Sequence, residues 1–196
     1  MKDKPTCYEP NQEIPEVYSG VPTFLGLPRI NDESQLHEYD VAVMGGPWEG
    51  SVTWDSASGC ELAPKTIRDA STRYGAYLPE IDIDAFDYLV GGDYGDASVH
   101  NGHYQKSLTM IGDKAKEIIE NDVFPITFGG DHSITYPIVK NLAAKHEGRV
   151  GVIHLDSHLD NLDEFDGDKY ARCSPFRRLY EIENMNSEKI VHLGIR

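Results

Sequence analysis

The sequence predicts an α/β fold: a mainly parallel sheet with helices on both faces. Two observations carry this expectation. Short β-rich apolar runs alternate with segments of helical period along most of the 196 residues, the pattern of βα units rather than of hairpins. Three polar clusters, DYGD, GGDH and DSHLD, also fall just after predicted strands, and the carboxyl ends of strands in open parallel sheets are where ligands bind. At 39% hydrophobic and 26% charged residues the composition is that of an ordinary globular chain, long enough for one sizeable core.

Residues 1–38 carry five of the eleven prolines and little periodicity, which predicts an irregular arm lying on its own domain or on a neighbour. The segment YSGVPTFLGLP within it is too apolar to be left in water. Residues 39–196 form the α/β domain. Residues 39–44 (YDVAVM) read as the first core strand, followed by a glycine-rich loop at 45–59 that holds Trp48 and Trp54. Pro64 suits the first turn of a helix on which Ile67, Ala70 and Tyr74 recur at helical spacing. Residues 86–90 read as a strand opening into the GGDYGD segment. The clearest helix is 103–121, where Tyr104, Leu108, Ile111, Ala115, Ile118 and Ile119 trace one apolar stripe. A strand at 123–128 is broken by Gly129 and Gly130, and 133–146 is helical, with Pro137 tolerated in its first turn. Residues 150–155 read as a buried strand, 174–185 as a helix and 190–195 as the last strand.

The stretch VGVIHLDSHLD carries the most chemistry. Asp156, His158 and Asp160 are spaced by two, so on an extended backbone they would project from one face. Two carboxylates and an imidazole crowded at the end of a buried strand require a compensating positive charge, most simply a divalent metal. His132, presented by the two glycines before it, makes a fourth candidate ligand. Carboxylate with imidazole suits Mn²⁺ or Ni²⁺ rather than a structural zinc site. Bridging carboxylates allow a two-metal centre, with ions roughly 3.5–4 Å apart and a hydroxide nucleophile, which is hydrolytic chemistry. The alternative is a structural polar cluster. His154 is a candidate to steady a ligand from behind, and His146 and His192 carry no functional reading.

The net charge of -15 leaves no basic stripe for nucleic acid, and no run of 18 apolar residues is present to cross a membrane. Cys7, Cys60 and Cys173 are odd in number and far apart, which fits a reducing, cytoplasmic setting.

Together these motifs resemble the ureohydrolases, the arginase and agmatinase family, with the agmatinase branch nearest. FGGDHS at 128–133 and HLDSHLD at 154–160 match the family's metal motifs, with Ser157 where DAHxD has alanine. SGVPTFLGLP, APKTIR, DYGD, SPFRR and VHLGIR extend the likeness over nearly the whole chain. The resemblance implies a three-layer α/β/α fold, two divalent metals, Mn²⁺ or Ni²⁺, and His132, Asp156, His158 and Asp160 as metal ligands. It implies hydrolysis of the C–N bond of a small cationic guanidino compound, such as agmatine, guanidinobutyrate, guanidine or a biguanide. A metal-bridging hydroxide would attack the guanidinium carbon, while carboxylates, Asp160 among them, balance charge in the tetrahedral intermediate. A homo-oligomer (trimer or hexamer), or a hetero-oligomer with a related subunit, is the implied assembly.

Two departures from the family pattern stand out. The family's later DxD ligand pair and substrate-binding Glu have no counterpart before Arg196, so the domain is expected to lack the C-terminal part, with weak metal binding and poor turnover. Where the family commonly places a proton-transferring His, the second catalytic candidate here is Arg172, followed by Cys173. Arginine is no general base at neutral pH, so it implies an altered substrate or a non-catalytic subunit.

Overall fold

The computed structural model describes residues 20–50, 58–147, 149–183, 185 and 187–196. Its centre is strand β1, Val41–Gly46, nearly all of it buried. Next come helix α1, Ala63–Ser71, and a small antiparallel hairpin of β2, Tyr77–Leu78, and β3, Ile83–Asp84. Strand β4, Gly91–Asp96, and strand β5, Phe124–Gly129, then flank β1 on either side in parallel, giving the order β4-β1-β5. Helices α2, Tyr104–Glu120, and α3, Thr135–Lys145, follow β4 and β5. A second parallel pair, β6 at Val152–Leu155 and β7 at Ile190–Leu193, is separated in sequence by the short helix α4, Pro175–Leu179. Parallel sheet and helical layers are as expected, with the strands divided into a three-stranded and a two-stranded sheet.

The main core lies between α2 and the three-stranded sheet. Leu108, Ile111, Ala115, Ile118 and Ile119 of the predicted stripe are all buried, against Ala42 and Met44 of β1, and only Tyr104 at the helix start is partly exposed. Each buried leucine and isoleucine among these stabilises the fold by roughly 1.5–3 kcal/mol relative to exposure. Trp48 plugs into this core; Trp54 and Cys7 lie outside the described residues. Residues 28–30 bond to Asp93 of β4, and Leu27, Ile30 and Leu36 are buried.

The strand expected to be buried at 150–155 is β6, and it exposes Ile153 and Leu155. Three further expectations need correction. Residues 86–90 are not a strand. Asp84 caps a short 3-10 turn, Ala85–Asp87, and GGDYGD is itself β4. Its glycines belong in the ladder because Leu27 sits on Gly91, while Ile30 and Tyr39 sit so close to Gly92 that an added Cβ would lie 2.6–2.7 Å from them. Helix α1 does not bury an apolar stripe. Ile67 and Tyr74 are exposed, and the inward face is Pro64, Arg68 and Ser71. The reason is electrostatic: Arg68 Nε and Nη2 donate to the two oxygens of Asp93 at 2.8 and 2.9 Å, and Nη1 donates to Asp96. Finally, the predicted helix at 174–185 stops at Leu179 and continues as tight i→i+3 turns. These bring Phe176, Leu179, Ile182 and Met185 into one small cluster, which a straight helix would spread around its axis.

Asp93 is only 2% exposed, so removing its partner leaves a buried charge uncompensated. Arg68→Met is expected to lower stability by about 3–5 kcal/mol in urea unfolding. Ile67→Ala one position earlier should change it by less than about 0.5 kcal/mol.

Candidate metal centre

The site begins with a backbone constraint. At the end of β5 the N–H groups of Gly130 and Asp131 donate to the carbonyls of Gly46 and Trp48 at 3.1 and 2.8 Å. The chains run so close that a Cβ on Gly130 would lie 2.5 Å from the Trp48 carbonyl oxygen, and closer still to that of Gly46. Only glycine fits there. Asp131, buried, then accepts from the N–H groups of Ser133 and Gly50 at 2.9 and 2.6 Å, and from the Ser133 hydroxyl. It caps the 3-10 turn His132–Ile134, and His132 is thereby held over the sheet edge.

The other half comes from the loop after β6. His132 Nδ1 lies 2.6 Å from Oδ2 of Asp160 and 3.9 Å from Oδ2 of Asp156. His154 Nε2 lies 3.4 Å from that same Asp156 oxygen. Donor atoms of His132, His154 and Asp156 all fall within 4.8 Å of one another. Phe176 of α4 packs edge-on against His132 and tilted against His154, with ring centroids 5.5 and 4.2 Å apart. Its N–H donates to the Asp160 carbonyl at 3.1 Å. That bond supports Asp160 in a left-handed conformation, φ 46°, a strained choice for a non-glycine residue.

The expected one-faced ladder of Asp156, His158 and Asp160 is not formed. The strand ends at Leu155, and the chain turns because Asp156 Oδ1 accepts the His158 N–H at 2.9 Å. His132, Asp156 and Asp160 converge. His158 does not: its side chain is 71% exposed and its Nδ1 is 3.4 Å from Asp156 Oδ1. His154, one residue before the strand end, faces the cluster from the buried side.

The same contacts tune charge. The His158 N–H, then His154 and His132, hold the Asp156 carboxyl below its usual range, while burial, and next the charge of His132, push the His154 imidazole down. DYGD contributes no ligand here, since Arg68 occupies Asp93 and Asp96.

Beside this cluster lies a second one. Arg172 Nη2 donates to Glu49 Oε1 at 3.0 Å, and the same carboxylate accepts from Ser58 and Gly59. Cys60 and Glu61 complete the group. Glu49, Ser58 and Gly59 are thus tied to the segment that carries Arg172. Burial opposes charge on Glu49, but the Ser58 hydrogen bonds, then those with Glu61 and Arg172, outweigh it and hold the carboxyl far below its ordinary value. Burial raises the thiols of Cys60 and Cys173, which makes neither a ready nucleophile. Sequence reading gave no role to Glu49 or His192. Only the register of two separated strands reveals the last of these, by placing it opposite His154.

A family profile described as "Arginase family" matches residues 39–196. The chain belongs to the arginase family. Within the family, guanidinobutyrase of Pseudomonas aeruginosa is 30% identical over 94% of this chain and 56% of its own length. Proclavaminate amidino hydrolase from Streptomyces clavuligerus superposes with a TM-score of 0.81 at 26% identity, over 92% of this chain and 58% of that one. A formiminoglutamase from Trypanosoma cruzi, solved with Mn²⁺, has a TM-score of 0.76 at 23% identity over 90% of this chain and 58% of its own. This arginase-family chain spans about half the length of the curated relatives it matches. Among its described residues no helix is long and apolar enough to cross a membrane.

Because the folded Glu49 carboxyl sits below its ordinary value of 4.5, its contribution is complete above that value and lost as pH falls through the folded one. The stability difference between the parent and Glu49→Gln, followed by chemical denaturation, should stay constant from pH 7 to about 5 and shrink at lower pH.

Proposed function

We propose that this chain is the metal-binding portion of a hydrolase that cleaves the C–N bond of a guanidino compound and releases urea or a related product. The observation that carries the reading is convergence: His132 from the end of β5 meets Asp156 and Asp160 from the end of β6, with His154 behind them. The donor set fits borderline first-row divalent cations, Mn²⁺ first and Ni²⁺ next. His132, Asp156 and Asp160 would hold the ions, and His158, exposed beside Asp156, would have to turn inward to join them. When bound, such a pair supplies Lewis acidity and a nucleophile at neutral pH.

The remaining chemistry belongs to the chain. Asp156 and Asp160 would offset part of the ions' positive charge, which a cationic guanidino group would otherwise meet as repulsion. Phe176, 1% exposed, lies against both imidazoles and keeps water from that side of the cluster. Arg172 is engaged with Glu49, so in this reading it braces the loops and does not shuttle a proton. The substrate class follows the relatives' names, a guanidino acid such as guanidinobutyrate ahead of agmatine. The whole enzyme is proposed to be cytoplasmic and a homo-oligomer.

A second reading, a non-catalytic subunit within a hetero-oligomer, is favoured by Arg172 at the position of the family's usual histidine. Assays with Mn²⁺ or Ni²⁺ separate the two. The hydrolase reading expects bound metal by elemental analysis and urea release from guanidinobutyrate, agmatine, guanidine or a biguanide. His132→Ala and Asp156→Asn should each lower the rate by about 100-fold or more. Absence of both metal and urea would discard it.

A further inference from the structure

His154 and His192 sit opposite each other in the parallel register of β6 and β7. Their neighbours Ile153, Leu155, Val191 and Leu193 all point outward and are exposed, so the two imidazoles share the inner face. Their Nδ1 atoms are 2.8 Å apart. The rings stand nearly perpendicular, at 85°, and Phe176 packs on both. At the far end the Tyr180 hydroxyl lies 3.2 Å from His192 Nε2. At the near end His154 Nε2, in a residue 94% buried by its 6% exposure, has no hydrogen bond among the described residues. Its neighbour there is Asp156 Oδ2 at 3.4 Å.

A neutral imidazole has one donor and one acceptor nitrogen, so a hydrogen bond between two Nδ1 atoms forces opposite tautomeric roles on the two rings. Either His154 gives the proton and turns a lone pair toward Asp156, or His192 gives it and His154 carries its proton on Nε2. The carboxylate decides. Oδ1 of Asp156 already accepts the His158 N–H, and Oδ2 is an acceptor only. A lone pair on His154 Nε2 would set two acceptors face to face in a buried place, whereas an Nε2–H is attracted to that oxygen.

We infer that Tyr180 and His192 are positioning residues: they form one donor chain, Tyr180 to His192 to His154 to Asp156, that fixes the tautomer of His154 and aims its N–H at a metal-binding carboxylate. Each polar group then has a single consistent role. The hydroxyl donates to His192 Nε2, His192 Nδ1–H donates to His154 Nδ1, and His154 Nε2–H faces Asp156. Outer partners of this kind hold a ligand's orientation and raise its basicity. The metal part of the inference rests on the function proposed above; the tautomer does not.

Nitrogen-15 NMR of the histidine rings in the intact, metal-free chain tests the direction. The expected result is His154 protonated on Nε2 and His192 on Nδ1; His154 protonated on Nδ1 overturns the inference. Mn²⁺ titrations of variants test the consequence. His192→Phe, checked for intact fold by circular dichroism, should bind Mn²⁺ about 10- to 100-fold more weakly, and His192→Gln, whose amide can still donate, should stay within about threefold of the parent. Equal affinity in the Phe variant overturns the positioning role. Tyr180→Phe keeps both rings and should loosen the tautomer preference without loss of fold; an unchanged preference removes Tyr180 from the chain. No substrate enters these measurements, so a protein that shows the tautomer and releases no urea refutes the hydrolase reading alone.

Discussion

The site depends on one close approach of two backbones. Where β5 ends, the chain passes the carbonyls of Gly46 and Trp48 at a separation that leaves no room for a side chain on residue 130. That contact fuses the loop after β1 to the loop after β5. It lets Asp131 cap the next turn and bond Gly50 at once, and it sets His132 at the sheet edge. A larger residue at 130 would push the two loops apart, moving His132 away from Asp156 and Asp160 and displacing Trp48, a member of the core under α2.

Around that constraint the acidic chain distributes its charge in separate pairs. Asp93 and Asp96 share Arg68 at the edge strand, and Glu49 pairs with Arg172. Asp156 and Asp160 face imidazoles instead. Guanidinium partners are permanent cations with rigid donors, so the first two sites are structural ties. Imidazoles can release the carboxylates to a metal, and this difference in partner distinguishes a ligand cluster from a brace built of the same acids.

Much of the architecture was readable in the residues, because α2 and β1 bury simple periodic patterns whose partners lie nearby. Two of the misreadings share a cause. Gly91 and Gly92 look like a loop until Leu27, Ile30 and Tyr39 are seen lying on them, and Ile67 looks like the inward face of α1 until Arg68 finds two aspartates 25 and 28 residues away. Both are settled by long-range partners, which no local pattern reports.

The sequence by itself determined which residue types could serve a metal: the GGDH and DSHLD motifs name His132, Asp156 and Asp160, and they converge. Tertiary structure decided the rest. It turned His158 outward, because Asp156 captured its N–H and ended the strand, and it set His192 against His154 through the register of two strands 38 residues apart. Spacing along a chain constrains direction only while the backbone stays regular, and this site lies where the strand stops.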